Sequence, residues 1–310
     1  MAGSLSSGSK DLSRFLQAEP NIFLAKFLPF SLYRRYLSLM GLYYFSFRNK
    51  ERKRLSGAFR LILGQRLSRL KFKLILCKTY FGIFEHYSEK MINAYRPLPA
   101  MMKYLQDNIS ISNIEWLDRI KAANRGGILI SAHFGAVEYL PLFLAVKKYR
   151  PTMIVRFKTD KLREILTYKA GLVDLELIDA DSQNVIFKAI TAIRNGRILI
   201  TLCDEIKNWR PCKTETMRIF GQPAPRDRTL DILVRRAKAP SCLGLMQRVK
   251  DGYALSIHPF DGKDHNVSLS EASWNILEQY IYRHPDQWYQ WPSFETEYAK
   301  YLAFSESYAN

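Results

Sequence analysis

From Pro99 onward, short apolar runs alternate with longer stretches in which apolar residues recur every three or four positions. The short runs predict strands at Ile109–Trp116, Ile128–Ser131, Met153–Arg156, Glu176–Ile178, Ile198–Leu202, Ser241–Met246 and Tyr253–His258. The periodic stretches predict helices at Leu117–Ala123, about Ala136–Lys148, Lys161–Lys169, Gln183–Arg194 and about Arg228–Lys238. Ser268-Leu-Ser-Glu271 is a capping box, and it opens a last helix that runs to Tyr282. Strands alternating with helices of this length indicate an α/β fold, a mixed and largely parallel sheet flanked by helices.

Upstream of Pro99 the texture is helical throughout. Asn21 to Phe47 is the most apolar segment, but Lys26, Pro29, Arg34 and Arg35 interrupt it. Its longest uncharged run after the arginines, Tyr36 to Phe47, has 12 residues, against about 20 for a helix that spans a bilayer. The segment is therefore expected to lie on a membrane surface or to pack on the main body. Apolar residues spaced along Leu55–Ile75 predict further amphipathic helices, and the pattern stops near Arg96-Pro-Leu-Pro99. The expected organisation is a flexible start (1–20), a helical membrane-associating layer (21–99) and an α/β core (100–310).

Charge sharpens this picture. The chain of 310 residues carries a net charge of +18, which calls for an anionic partner: nucleic acid, an acidic membrane or a negatively charged substrate. Ten basic residues and one acidic residue lie between Arg48 and Lys73, beside apolar positions of helical spacing. That arrangement favours anionic membrane lipid, each basic residue near the surface contributing about 1 kcal/mol. A nucleic-acid partner is the poorer option, because no recognition helix or stacking platform is evident. A basic binding protein without turnover, on anionic lipid or nucleic acid, is the competing class. The four cysteines are scattered without metal-ligand spacing, as expected of reduced thiols. There is no GxGxxG and no GxxxxGK[ST] phosphate loop.

The candidate chemistry gathers after the strand Ile128–Ser131, where the chain reads Ala132-His133-Phe-Gly135-Ala-Val-Glu138. Histidine titrates near neutrality and suits general-base work. A carboxylate on its second ring nitrogen would fix the tautomer. On one continuous helix, positions five apart are separated by about 140°. His133 and Glu138 can meet only if the histidine lies in the turn before the helix. Ligands of α/β sheets gather outside the carboxyl ends of strands, which brings Arg156 and Asp204 from two further strand ends toward His133. Arg156 divides between substrate contact and a surface ion pair, and Asp204 between the site and a loop-structuring role. Among the remaining histidines, His86 and His265 are expected to be structural or exposed. His258 could approach from a strand end, and His284 ends the last helix.

Five blocks in order complete the pattern: His133-Phe-Gly-Ala-Val-Glu138, Val155-Arg156-Phe-Lys158, Asp204-Glu205, Phe220-Gly-Gln-Pro-Ala224 and His284-Pro-Asp-Gln-Trp-Tyr. Together they resemble the lipid A biosynthesis lauroyl/myristoyl acyltransferases, a branch of the His-x4-Asp/Glu glycerolipid acyltransferases, over about Tyr36 to Trp291. Glu205 stands where the family's pair carries glutamine. Pro225-Arg-Asp-Arg228 replaces a threonine-rich stretch, which makes an altered acceptor head group plausible. The resemblance implies transfer of a fatty acyl chain from an acyl carrier protein or coenzyme A thioester to a lipid hydroxyl, with no cofactor and no metal. It makes His133 the base and Glu138 its orienting carboxylate, with Arg156, Asp204 and the backbone around Gly135 toward substrate. It also implies a peripheral or monotopic place on the cytoplasmic face of the inner membrane.

Overall fold

The computed structural model describes residues 15–64, 67–206, 209, 211–260 and 268–306. His265 and most of the start expected to be flexible lie outside the described residues. Nine strands are found among them: β1 (Ile109–Ser112), β2 (Gly127–Ser131), β3 (Pro151–Val155), β4 (Glu176–Asp179), β5 (Ile198–Leu202), β6 (Pro211–Ile219), β7 (Gln222–Asp227), β8 (Ser241–Val249) and β9 (Gly252–Pro259). Seven form one sheet in the order β1-β9-β8-β2-β5-β3-β4. Every pairing in it is parallel except β8 with β9. The fold is thus the expected mixed, largely parallel sheet flanked by helices. All five residues of β2 are buried, as suits a strand covered by helices on both faces.

Strands β2, β5 and β3 are immediate neighbours. The loops after their carboxyl ends carry His133, Asp204 and Arg156, so the topology delivers these side chains to one edge of the sheet.

The helices are α1 (Glu19–Phe27), α2 (Phe30–Phe47), α3 (Asn49–Leu63), α4 (Arg69–Tyr95), α5 (Leu98–Asn108), α6 (Glu115–Ala123), α7 (Leu140–Val146), α8 (Asp160–Gly171), α9 (Val185–Arg194), α10 (Thr229–Ala237), α11 (Leu269–Arg283) and α12 (Trp291–Glu306). Their starts follow local chemistry. Ser68, Thr159 and Ser268 accept hydrogen bonds from Lys71, Leu162 and Glu271 backbone N–H groups, capping α4, α8 and α11. The N-terminal helices share their core with the sheet: Ile22, Tyr33 and Leu37 cluster with Leu129, Ile200 and Leu255. No helix among the described residues is long and apolar enough to cross a membrane.

Element boundaries differ from expectation where the backbone turns left-handed. Asn113, at φ 59°, ends the first strand early and lets α6 begin at Glu115. Asn184, also at φ 59°, delays α9 to Val185. The helix expected from Ala136 opens instead as a 3-10 turn, Val137–Tyr139, before α7 takes over with Pro141 in its first turn.

Two elements were not anticipated. One is the β6/β7 hairpin, whose tip is Phe220-Gly221 at φ 52° and 75°, the double positive-φ turn that tight hairpins favour. Pro223 and Pro225 sit in β7, which is tolerated because a two-stranded sheet leaves an open edge. The other is α12. It follows a second 3-10 turn, Pro285–Gln287, and its start joins the hairpin tip in an aromatic cluster. Phe220 lies 5.7 Å from Trp288, 5.9 Å from Trp291 and 5.4 Å from Phe294 between ring centroids. Trp274 is the fourth buried wall, 6.1 Å away. Against the outer side of that turn runs α4, with Gly82 at the crossing: a Cβ there would sit 1.9 Å from the Asp286 carbonyl oxygen. Only glycine permits so close an approach.

Candidate active site

His133 lies in the turn after β2 and before the 3-10 segment, as the spacing argument required. Its partner is not the expected one. The Nδ1 atom is 2.9 Å from Oδ1 of Asp204, while the Glu138 carboxylate faces His86 Nε2 at 3.4 Å and Lys90 Nζ at 3.6 Å. No contact joins His133 to Glu138. The cause is local: the 3-10 turn that replaces the first turn of a regular helix directs residue 138 toward α4. Glu138 still lines the cleft described below, and its carbonyl accepts from the Asn93 side chain at 2.9 Å.

Asp204 follows β5 and is 1 % exposed. Its two oxygens accept the His133 backbone N–H at 3.1 and 2.9 Å, and Oδ2 also accepts Trp288 Nε1–H at 2.8 Å. With the ring bond, every face of the carboxylate is used, so Asp204 is both a loop-structuring residue and the imidazole's partner. Trp288 owes its position to the aromatic cluster built by the hairpin and α12. The Asp204, Phe220 and Trp288 blocks are therefore one structural unit behind His133. Tyr289 N–H donates to the His133 carbonyl at 3.2 Å. The Tyr289 ring stands edge-on to the imidazole at 5.1 Å and stacks on His86 at 3.7 Å. Gln290 brings its side-chain amide within 3.0 Å of Nδ1. The atom that approaches the ring is the amide nitrogen, Nε2 of Gln290.

The other ring nitrogen is also occupied. Nε2 lies 3.2 Å from Glu205 Oε1. Burial weighs most on the His133 pKa and pushes it down, but the charges and hydrogen bonds of Asp204 and Glu205 together outweigh it and raise the value to about 10. In this arrangement the ring is an imidazolium at neutral pH. Glu205 is held below the usual carboxylate range. Burial opposes that shift, and the His133 hydrogen bond and charge, with Arg156 and Lys158, overcome it. His86 behaves in the opposite way. Burial first, then the charges of Lys90, Arg248 and His133, push its pKa well down, and it stands neutral behind Tyr289.

Gly135 has a different role from the one expected. It is absent from the cleft lining, and its N–H donates to the Gln287 carbonyl at 2.9 Å. The Ala136 N–H donates to the Met246 carbonyl at 2.8 Å, so neither amide is available to substrate. Gly135 has φ 58°, and a Cβ there would lie 1.9 Å from the Met246 oxygen. Gly135→Ala should destabilise the protein by more than the roughly 1–2 kcal/mol of a left-handed alanine alone, because backbone must also retreat. Thermal unfolding checks this, and a melting temperature equal to the wild type's would show that the loop can yield.

Beneath the loop lies a buried ion pair that sequence reasoning missed. Arg248, on β8, donates to Glu89 of α4 through Nε at 2.7 Å and Nη2 at 2.8 Å, and to the Gly135 carbonyl at 2.8 Å. Gln287 grips the Arg248 backbone on both sides, accepting its N–H at 2.8 Å and donating to its carbonyl at 2.9 Å. Glu89 falls on the buried face of α4 with Gly82, His86 and Ile92. That periodicity, and an arginine in the otherwise apolar run Cys242–Met246 and beyond, were the available signals.

Arg156 follows β3, lines the cleft and pairs with Asp181 at 3.1 Å, the ion pair that was one of its two expected readings. His258 hydrogen-bonds Tyr280 at 3.0 Å and lies away from the cleft. Among the described residues no group of three or more His, Cys, Asp or Glu has a metal-holding arrangement.

The cleft itself encloses about 530 Å³. His133, Asp204, Glu205 and Gln290 form its floor, and Arg54, Lys90, Arg156 and Lys158 its charged rim. One wall is apolar: Val137, Leu142, Met153, Leu166, Ala170, Leu175, Leu177 and Leu202. On that wall Lys169 directs its amine to the Asn93 and Arg96 carbonyls, and burial lowers its pKa to about 8. Tyr44 and Phe45 of α2, Arg54 of α3 and Ser293 of α12 complete the opposite wall.

A histidine held by a buried carboxylate thus stands in an apolar, cation-rimmed cleft. Residues 21–291 match the family of bacterial lipid A biosynthesis acyltransferases. The chain belongs to that family. No curated protein matched it. Membership in the family makes the protein an acyltransferase of lipid A biosynthesis type, with an acyl donor and a lipid acceptor as substrates.

Proposed function

We propose that the protein moves a fatty acyl chain from an acyl thioester, carried by acyl carrier protein or coenzyme A, to a hydroxyl of a lipid or glycolipid. His133 is the general base and Asp204, in place of Glu138, orients it. The observation that carries this reading is the 2.9 Å contact between His133 Nδ1 and a fully hydrogen-bonded Asp204 on the floor of an apolar cleft.

The acceptor hydroxyl gives its proton to Nε2 as its oxygen attacks the thioester carbonyl. The C–S bond then breaks, and the sulfur leaves as a thiol with the proton held on Nε2. Asp204 keeps the proton of Nδ1 in place and balances the imidazolium as it forms. The apolar wall suits the acyl chain, each enclosed methylene contributing about 0.8 kcal/mol. Arg156, Lys158 and Arg54 suit the developing oxyanion and anionic groups of the acceptor.

The approach to the membrane rests on the N-terminal helices that wall the cleft. Phe23, Phe27, Leu39, Tyr43, Phe47, Leu70 and Leu74 are exposed there, beside the basic run Arg48–Arg54. An apolar face flanked by cations binds an anionic membrane surface without crossing it. The cytoplasmic face of the inner membrane, where acyl thioesters are at hand, is the proposed place.

The test uses purified protein, labelled acyl-CoA and acyl carrier protein thioesters of graded chain length, and vesicles of a bacterial lipid extract. Transfer should occur and should fall by at least about 10²-fold in His133→Ala. Equal transfer by the two proteins would remove the base. Salt-sensitive DNA binding without transfer would instead favour a basic binding protein.

A further inference from the structure

Two carboxylates hold one imidazole, and they differ in kind. Asp204 is fixed by the His133 backbone and by Trp288, and its side chain is fully buried. Glu205, beside it on the cleft floor, is 41 % exposed. Its contact is with Nε2, the nitrogen that must be free to accept a proton. A ring with both nitrogens committed is no base.

We propose, building on the reading of His133 as base, that Glu205 determines the choice of acceptor over water. In the acceptor-free protein its carboxylate covers Nε2, and only a bound lipid acceptor displaces it toward Arg156 and Lys158. The two cations line the same cleft, and their charges already act on the Glu205 carboxylate. They offer it an alternative partner within the site.

Water brings no binding energy with which to move this side chain, whereas a lipid head group filling the rim does. The other charged or titratable groups around the ring are suited to support, not to cover, Nε2. Asp204 sits on Nδ1, and neutral His86 lies behind Tyr289 with Glu138 and Lys90 beyond it. Gln290 faces Nδ1 from the segment before α12.

The sequence of events balances. Displacement of Glu205 removes one of the two charges that hold the ring protonated. The Nε2 proton then passes to water entering the place that the carboxylate has left, and from there to bulk solvent. The acceptor hydroxyl takes the vacated place at Nε2, and the C–O bond forms as the C–S bond breaks, the sulfur departing as a thiol. Without acceptor, the ring stays charged and the thioester is spared hydrolysis.

Glu205→Gln keeps the shape and removes the charge. The titration of His133, followed by its ring nitrogen chemical shifts, should move from near 10 toward the ordinary histidine range of about 6.5. The acid limb of kcat/KM, which reports the free enzyme, should move to lower pH with it. Hydrolysis of acyl-CoA without acceptor, relative to transfer, should rise about tenfold or more at pH 7, the change expected for a one-unit shift. An unchanged titration and an unchanged hydrolysis ratio would overturn the role of Glu205. So would loss of transfer and hydrolysis together, which would make it part of the catalytic machinery. His133→Ala separates this from the preceding reading: if that variant transfers normally, the base has failed; if it is inactive, only Glu205 is at issue.

Discussion

Asp204→Asn should lower the acyl-transfer rate by roughly three to four orders of magnitude, while Glu138→Gln should cost less than about tenfold. The argument is one of tautomers. Asp204 accepts from three N–H groups, the His133 backbone, the Trp288 indole and the His133 ring. Asparagine has one acceptor oxygen. If that oxygen stays with the backbone and the indole, its NH2 faces Nδ1, so Nδ1 must become the acceptor and the proton moves to Nε2. The ring then cannot take a proton from the acceptor hydroxyl. Single-turnover transfer measures the loss, and unfolding measurements establish that the fold survives. A severe defect in Glu138→Gln with a mild one in Asp204→Asn would return the orienting role to Glu138.

The second large effect concerns stability. Glu89→Ala should destabilise the protein by about 3–5 kcal/mol, the cost of leaving one member of a buried ion pair uncompensated. Arg248 would keep Glu85, at 3.6 Å, and the Gly135 carbonyl, neither of which replaces a two-pronged carboxylate. The effect should extend to activity, since the same guanidinium holds the Gly135 carbonyl in the loop that follows His133. Denaturant unfolding reads the first and transfer assays the second. A combined Glu89→Leu/Arg248→Met variant should recover much of the stability, because removing both charges removes the desolvation penalty. If Glu89→Ala unfolds at the wild-type denaturant concentration, the pair is not a structural one.

The sheet, its strand ends and the position of His133 before a helical segment could be read from apolar runs, Asn and Gly breaks and the rule that ligands gather at carboxyl strand ends. The partner of His133 could not. Glu138 is five residues away and was singled out by the family resemblance, whereas Asp204 is 71 residues distant and reaches the ring only because β5 lies beside β2. Periodicity describes what a segment does to its own side chains. It carries no information on which strand end faces which ring nitrogen. Phe220 and Trp288 illustrate the same limit: the first lies in a block of glycine and proline and the second in a polar block after Pro285, both of which look like loop, yet both turn inward to build the wall on which Asp204 rests. Glu89 and Arg248 were hidden because charged residues are normally read as surface, and only their mutual distance shows otherwise.

The order of synthesis adds a consequence. Trp288, which fixes Asp204, and Gln290 leave the ribosome about 155 residues after His133, a delay of roughly 8–30 s at ordinary elongation rates. Until then the imidazole lacks the surroundings that orient it. An incomplete chain already seated on a bilayer would thus have an inert site and consume no activated fatty acid.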